Sequence, residues 1–150
     1  RNEEMISRID ITKLSLDEVK TSAENCYPSE ACGFLVGQLA SPKVVEVIRV
    51  VEAKNILAAE SNTQFEADPK TRIMLEKEIR GTPVKLVGHY HSHPDCAAIP
   101  SATDLKNCFE PELLWLIISV NRGKADTPCA YQIFSDQQNY RQIDINTVQV

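Results

Sequence analysis

Residues 88–104 read GHYHSHPDCAAIPSATD, and they hold every histidine of the chain: His89, His91 and His93, at alternate positions. The preceding "VKLVGHYH" reads as a strand. Residues two apart in a strand face the same side, roughly 6.5–7 Å apart along the chain. His91 and His93 can therefore converge on one ion at or just beyond the strand end, where Pro94, unable to donate to a ladder, stops it. The chain then loops and re-enters as a short helix, "SATDLKNCF", whose first turn carries Asp104. Two imidazoles, one carboxylate and an open fourth position have the composition of a hydrolytic zinc site. Each element also has a plainer reading. An H-x-H can be a surface strand pair, and Ser101 with Asp104 fits a helix cap that needs no metal. His89 is expected to be a packed or hydrogen-bonded histidine rather than a third imidazole ligand. Cys96, in the loop between the ligands, is expected to pack as a small hydrophobe; the alternative is a thiolate competing for the open position.

Outward from this stretch, "RIDITKL" alternates as a short strand. "SLDEVKTSAENC" reads as a helix with a Ser15–Glu18 capping box, and Leu16, Val19, Ala23 and Cys26 recur at helical spacing. "CGFLVGQ" and "KVVEVIRVVE" read as a hairpin turning at Ser41 and Pro42. "DPKTRIMLEKEIRG" carries a complete set of helix signals: Asp68 as cap, Pro69 at the first position and Gly81 as stop. Met74 is expected on its buried face. "LLWLIISV", "CAYQIFSD" and "NYRQIDI" read as three further strands, with Trp115 in the core. Six or seven strands and two or three helices predict one mixed sheet with helices packed on it, as a single domain over 1–150.

The 150 residues, 43% hydrophobic and 25% charged, suit a soluble globular domain able to bury a continuous core. A net charge of −5 argues against nucleic acid as a partner, since phosphate binding needs a basic face. The longest apolar run, Leu113 to Val120, is too short to cross a bilayer, and the N-terminal residues show no apolar core of a signal peptide. Five cysteines without a C-x-x-C fit a reducing, cytoplasmic setting better than a disulfide framework.

"HSHPDCAAIPSATD" follows H-x-H-P-x6-S-x2-D without departure, and in that respect resembles the JAMM (MPN-plus) zinc metalloproteases. Upstream, "YPSEACGFLVG" supplies Glu30 followed by glycine and apolar residues, as that family has at an early helix-to-strand junction. The resemblance runs roughly from Leu14 to Asp136. It implies a single α/β domain, a mixed, mostly antiparallel sheet flanked by helices, related in fold to cytidine deaminases. It implies zinc (Zn2+) held by His91, His93 and Asp104. Glu30 would take the proton of the attacking water and pass it to the leaving amine, and Ser101 would hydrogen-bond the developing oxyanion. Read alone, Glu30 is an exposed acidic residue at a turn.

Only "EPE" separates the "SATDLKNCF" helix from the next strand, so the chain resembles the compact prokaryotic type, without insertions that grip a second ubiquitin. The implied activity is hydrolysis of a peptide or isopeptide bond at or near the C-terminal Gly-Gly of a ubiquitin-like, sulfur-carrier protein. Its tail would be the partner, bound along a sheet edge. Two alternatives stand beside this: a non-catalytic MPN-type scaffold, against which the intact Glu, His, His, Ser and Asp set argues, and a zinc hydrolase acting on a small amide.

Overall fold

The computed structural model describes residues 5–136 and 138–149. In chain order the elements are β1 (Arg8–Thr12), α1 (Lys13–Cys26), β2 (Cys32–Ser41), β3 (Val44–Ala53), α2 (Pro69–Ile79), β4 (Lys85–Pro94), α3 (Ala102–Lys106), β5 (Leu114–Asn121), β6 (Lys124–Ala125), β7 (Cys129–Ile133) and β8 (Tyr140–Val148). The strands follow the order β4-β2-β3-β1-β8-β7-β5-β6, and β4 also pairs with β5. The sheet therefore closes on itself, with β6 attached at the far end of β5. The β1–β3, β1–β8 and β4–β5 pairs are parallel. The β2–β3, β2–β4, β5–β6, β5–β7 and β7–β8 pairs are antiparallel. The expected α/β fold with a mixed, mostly antiparallel sheet is what forms.

Period-two alternation decides which side chains face which core. On one face Ile9, Ile11, Leu35, Val47, Leu116 and Ile118 are essentially sealed from solvent, and α1 adds Val19 and Ala23 to them. Each of the Ile, Leu and Val side chains gains roughly 1.5–3 kcal/mol by leaving water. Tyr90 points into this face and donates to Ser22 Oγ at 3.0 Å; Ser22 Oγ donates in turn to Glu52 at 2.7 Å. The other face carries two smaller clusters. Cys32, Phe34 and Val36 pack against Leu75 and Ile79 of α2. Trp115, Ile117, Tyr131 and Ile133 pack with Cys108 beyond α3. β4 runs between β2 and β5, so its outer face lies between these two clusters. Close approach requires glycine there: a Cβ on Gly88 would fall on the Leu114 carbonyl oxygen, and one on Gly33 would meet the Tyr90 ring.

Several local expectations need correction. α1 begins two residues early, capped by Thr12, whose hydroxyl accepts from the Ser15 N–H at 3.2 Å. Ser15 is thus buried inside the first turn, and the Ser15–Glu18 capping box does not form. Met74 is 70% exposed, because Leu75 and Ile79, four apart, define the buried stripe of α2. β4 continues through His93 and ends on Pro94, since Pro94 needs no ladder donor at a strand's last position. β6, two residues long, is too short to leave a pattern in sequence. α3 ends at Lys106 rather than running to Phe109, so residues 107–113, not "EPE" alone, lead to β5. The hairpin turn after Ser41, the Asp68 cap and the left-handed Gly81 beyond α2 are as expected. Trp115 is buried as expected. Among the described residues no helix is long and apolar enough to cross a membrane.

Candidate metal centre

The alternation that turns Tyr90 inward turns His89, His91 and His93 to the opposite face of β4. His91 sits in register between Cys32 of β2 and Ile117 of β5; His93 pairs with Ser119. Ser101 caps α3, its Oγ accepting from the Asp104 N–H at 3.0 Å, while the Asp104 carboxylate accepts from the Ser101 N–H at 3.0 Å. This reciprocal box fixes the Asp104 side chain and aims it at β4. Its Oδ2 lies 3.1 Å from Nε2 of His91 and 3.1 Å from Nε2 of His93, and the two Nε2 atoms are 3.2 Å apart. All three residues are buried.

The tautomers make that triangle informative. Nδ1 of His93 is 2.7 Å from the Ala97 carbonyl, an acceptor only, so the ring proton belongs on Nδ1. Nε2 of a neutral His93 then presents a lone pair to a carboxylate oxygen and a second imidazole. The three atoms converge on one point, which either a proton carried on His91 Nε2 or a metal ion can fill. Burial lowers the His91 pKa, outweighing Asp104, which raises it. For His93 burial also lowers it, but the Asp104 hydrogen bond and the Ala97 carbonyl raise it further. Burial acts upward on Asp104, yet the two histidines hold its carboxyl well below the usual carboxylate range.

Glu30 lies in the short segment between α1 and β2. It is 3% exposed, not the surface turn residue a local reading gives. Its Oε1 is sealed from solvent and has no hydrogen-bond partner. Glu30, His91 and His93 offer ligand atoms that all lie within 4.8 Å of one another, a buried His/His/Glu group able to hold a metal ion. Burial pushes the Glu30 carboxyl up to about 8, with His93 lowering it and Asp104 adding to the rise. An orphaned buried carboxylate oxygen beside two converging imidazoles fits a divalent cation with N and O preferences, and imidazole and carboxylate are both zinc donors.

His89 is packed between aromatic rings, 5.5 Å from Trp115 and 6.2 Å from Phe65 by centroid. Burial, then the neighbouring His91, brings its pKa down to about 3, so it is neutral. Cys96 is exposed in the β4–α3 loop, which corrects the expectation that it packs. A cavity of about 500 Å³ adjoins the cluster, walled by Phe65, His89, His91, Asp104, Phe109 and Trp115. A larger groove of about 1040 Å³, near Arg72, Arg80 and Glu110, contains none of the donors. Sequence reasoning missed Asn55 and Phe65, which belong to the irregular segment between β3 and α2. Phe65 stacks on His91 with centroids 4.5 Å apart. No periodicity marks a residue that acts from a loop.

Residues 13–134 match the family described as prokaryotic homologs of the JAB domain. The chain belongs to the prokaryotic JAB family. It is 32% identical over 104 residues to a desampylase of Haloferax volcanii, covering 69% of this chain and 72% of that protein. It is 29% identical over 97 residues to a CysO-cysteine peptidase of Mycobacterium tuberculosis, covering 65% of this chain and 63% of that one. A solution structure of a protein from Desulfitobacterium hafniense superposes with a TM-score of 0.81 at 30% identity, over 95% of this chain and 94% of the other. The membership expected from the histidine motif, that of a JAMM-type metallopeptidase domain, is borne out.

Proposed function

We propose that this prokaryotic JAB domain, reading 1–150 as one unit, is a zinc metallopeptidase. It hydrolyses a peptide or isopeptide bond at or near the C-terminal Gly-Gly of a ubiquitin-like, sulfur-carrier protein. The observation that carries the reading is the triangle of His91, His93 and Asp104 donor atoms, 3.1–3.2 Å on a side, with the buried Glu30 carboxyl beside it. The desampylase and CysO-cysteine peptidase names of its relatives support the substrate class. Five free cysteines fit a reducing, cytoplasmic setting.

In this proposal His91, His93 and Asp104 are the metal ligands, and Glu30 and Ser101 act on the reacting groups. Zinc held there would supply a Lewis acid and lower the pKa of an attacking water. The chain's own residues supply the rest. The Ala97 carbonyl keeps the proton of His93 on Nδ1 and its Nε2 lone pair directed inward. Burial raises the Glu30 carboxyl to about 8 in the metal-free chain, and beside a cation between the imidazoles it would be favoured as carboxylate. As carboxylate, Glu30 takes a proton from the attacking water and delivers it to the leaving amine. Ser101 Oγ already accepts from the Asp104 N–H, which leaves its own hydroxyl proton to donate to the oxyanion developing on the scissile carbonyl.

The test is a panel of ubiquitin-fold carriers extended beyond Gly-Gly, set beside linked ubiquitin dimers. The connection from α3 to β5 is residues 107–113, without a long inserted segment of the kind that would grip a second ubiquitin. Extended carriers should be cut and dimers should be poor substrates. Efficient cleavage of dimers with none of the carriers would overturn the substrate assignment.

A further inference from the structure

The two histidines of the centre are oriented by different means. His93 has its Nδ1 proton on the Ala97 carbonyl at 2.7 Å, the usual way in which a ligating imidazole is fixed from behind. His91 has no such support. Its Nδ1 is sealed from solvent without a hydrogen-bond partner, and its residue is fully buried. The ring is instead bounded by π-faces. Phe65 stacks on it at 4.5 Å between centroids and 21° between planes, and Trp115 meets it edge-on at 6.0 Å and 76°. Trp115 is set by β5, but Phe65 sits on the segment between β3 and α2, whose ends meet only in a single Asn55–Ala67 bridge. There the Ile56 N–H donates to the Glu66 carbonyl at 2.9 Å and the Asp68 N–H to the Lys54 carbonyl at 2.8 Å.

Asn55 holds that segment. It is 7% exposed, and both ends of its amide are used. Oδ1 accepts from the N–H groups of Leu57 at 3.0 Å and Glu66 at 3.1 Å, closing the loop across its neck. Nδ2 donates to the Gln64 carbonyl at 3.3 Å and to the Glu30 carbonyl at 2.9 Å. One side chain thus grips both residues that flank Phe65 in sequence, and the backbone of Glu30.

We infer that Phe65 is a positioning residue for His91. Carried by the Asn55-pinned loop, it fixes by stacking the ring plane that a hydrogen bond fixes for His93. A hydrogen bond that orients a ligating imidazole is worth about 10–100-fold in metal affinity, and the stack on His91 stands in the place of that hydrogen bond. The inference rests on His91 being a ligand, but not on what the enzyme cuts.

The test uses the full chain with Phe65→Leu and Phe65→Tyr. Leucine keeps the apolar bulk and removes the flat face; tyrosine keeps the face. Zinc affinity is measured by competition against a chelator. Independently, ¹³C relaxation of the His91 ring Cε1–H is recorded in metal-free protein, which reads ring order without any metal or substrate. Phe65→Leu should loosen the ring and lower zinc affinity by about 10–100-fold, and Phe65→Tyr should match the parent in both. Asn55→Ala should reproduce the leucine result with Phe65 intact. If Phe65→Leu leaves ring order at the parent's value, the stack does not orient His91 and the inference is wrong. If the parent takes up no zinc, His91 is not a ligand and the inference fails with the metal reading. If the parent binds zinc and only the cleavage panel fails, the substrate assignment falls and the positioning of His91 stands.

Discussion

The Asp104 carboxylate accepts from the Ser101 backbone and approaches two imidazoles at once, so the helix cap and the proposed metal ligand are one side chain. Ser101 is equally double, as the cap of α3 and the proposed oxyanion donor. Two variants separate its roles. Ser101→Ala loses the cap and the hydroxyl, which costs about 0.5–2 kcal/mol of stability. Ser101→Gly loses the same hydroxyl, yet glycine is tolerated at an N-cap for a few tenths of a kcal/mol. Both should turn over about 10²–10³-fold more slowly, with the glycine variant melting closer to the parent. Parent-like turnover in Ser101→Gly would leave Ser101 as a cap alone. The imidazoles make a second prediction, because as the proposed ligands His91 and His93 would bind a metal only when neutral. Protons therefore compete with the metal, and a chelator should strip zinc far more readily at about pH 5 than near neutrality. Equal retention at both values would mean that histidines do not hold the ion.

At the scale of elements, α2 docks through a narrow stripe. Leu75→Ala opens a cavity against Cys32, Phe34 and Val36 and should cost about 2–5 kcal/mol. Met74→Ala, at an exposed position, should stay within about 0.5 kcal/mol. Chemical denaturation of both variants checks this; a larger loss at Met74 would mean that α2 is rotated from the orientation described. The helix itself was legible because Asp68, Pro69 and Gly81 are local signals, whereas its rotation depends on a partner sheet that no local pattern names. The same holds for α1: Ser15 and Glu18 offer a plausible box, but Thr12, at the end of β1, takes the cap. β4 was legible in its alternation and in the face its histidines share. Its neighbours were not, since pairing with β2 on one side and β5 on the other is a matter of long-range register. Asn55 and Phe65 escaped notice for a related reason. Their effect comes from hydrogen bonds and a ring stack that the fold assembles, between a loop and residues over 20 positions away.

Across the molecule, the closed sheet brings together three separate stretches of chain: the α1–β2 junction with Glu30, the end of β4, and the start of α3. The order of these stretches and the motif spacing made His91, His93, Ser101 and Asp104 readable from one sequence segment. Glu30 was readable only through its resemblance to a family pattern, because a single glutamate after a turn carries no signal until burial is known. The geometry places two carboxylates near the imidazoles, and the proposal gives them opposite jobs, Asp104 as ligand and Glu30 as base. Comparing Glu30→Gln with Asp104→Asn for zinc content and turnover tests that division most directly. Glu30→Gln should keep the parent's zinc and lose about 10²–10⁴-fold in rate, since an amide of nearly the same size cannot accept a proton, while Asp104→Asn should lose zinc itself. Zinc lost from Glu30→Gln, or turnover by it at the parent's rate, would contradict the account.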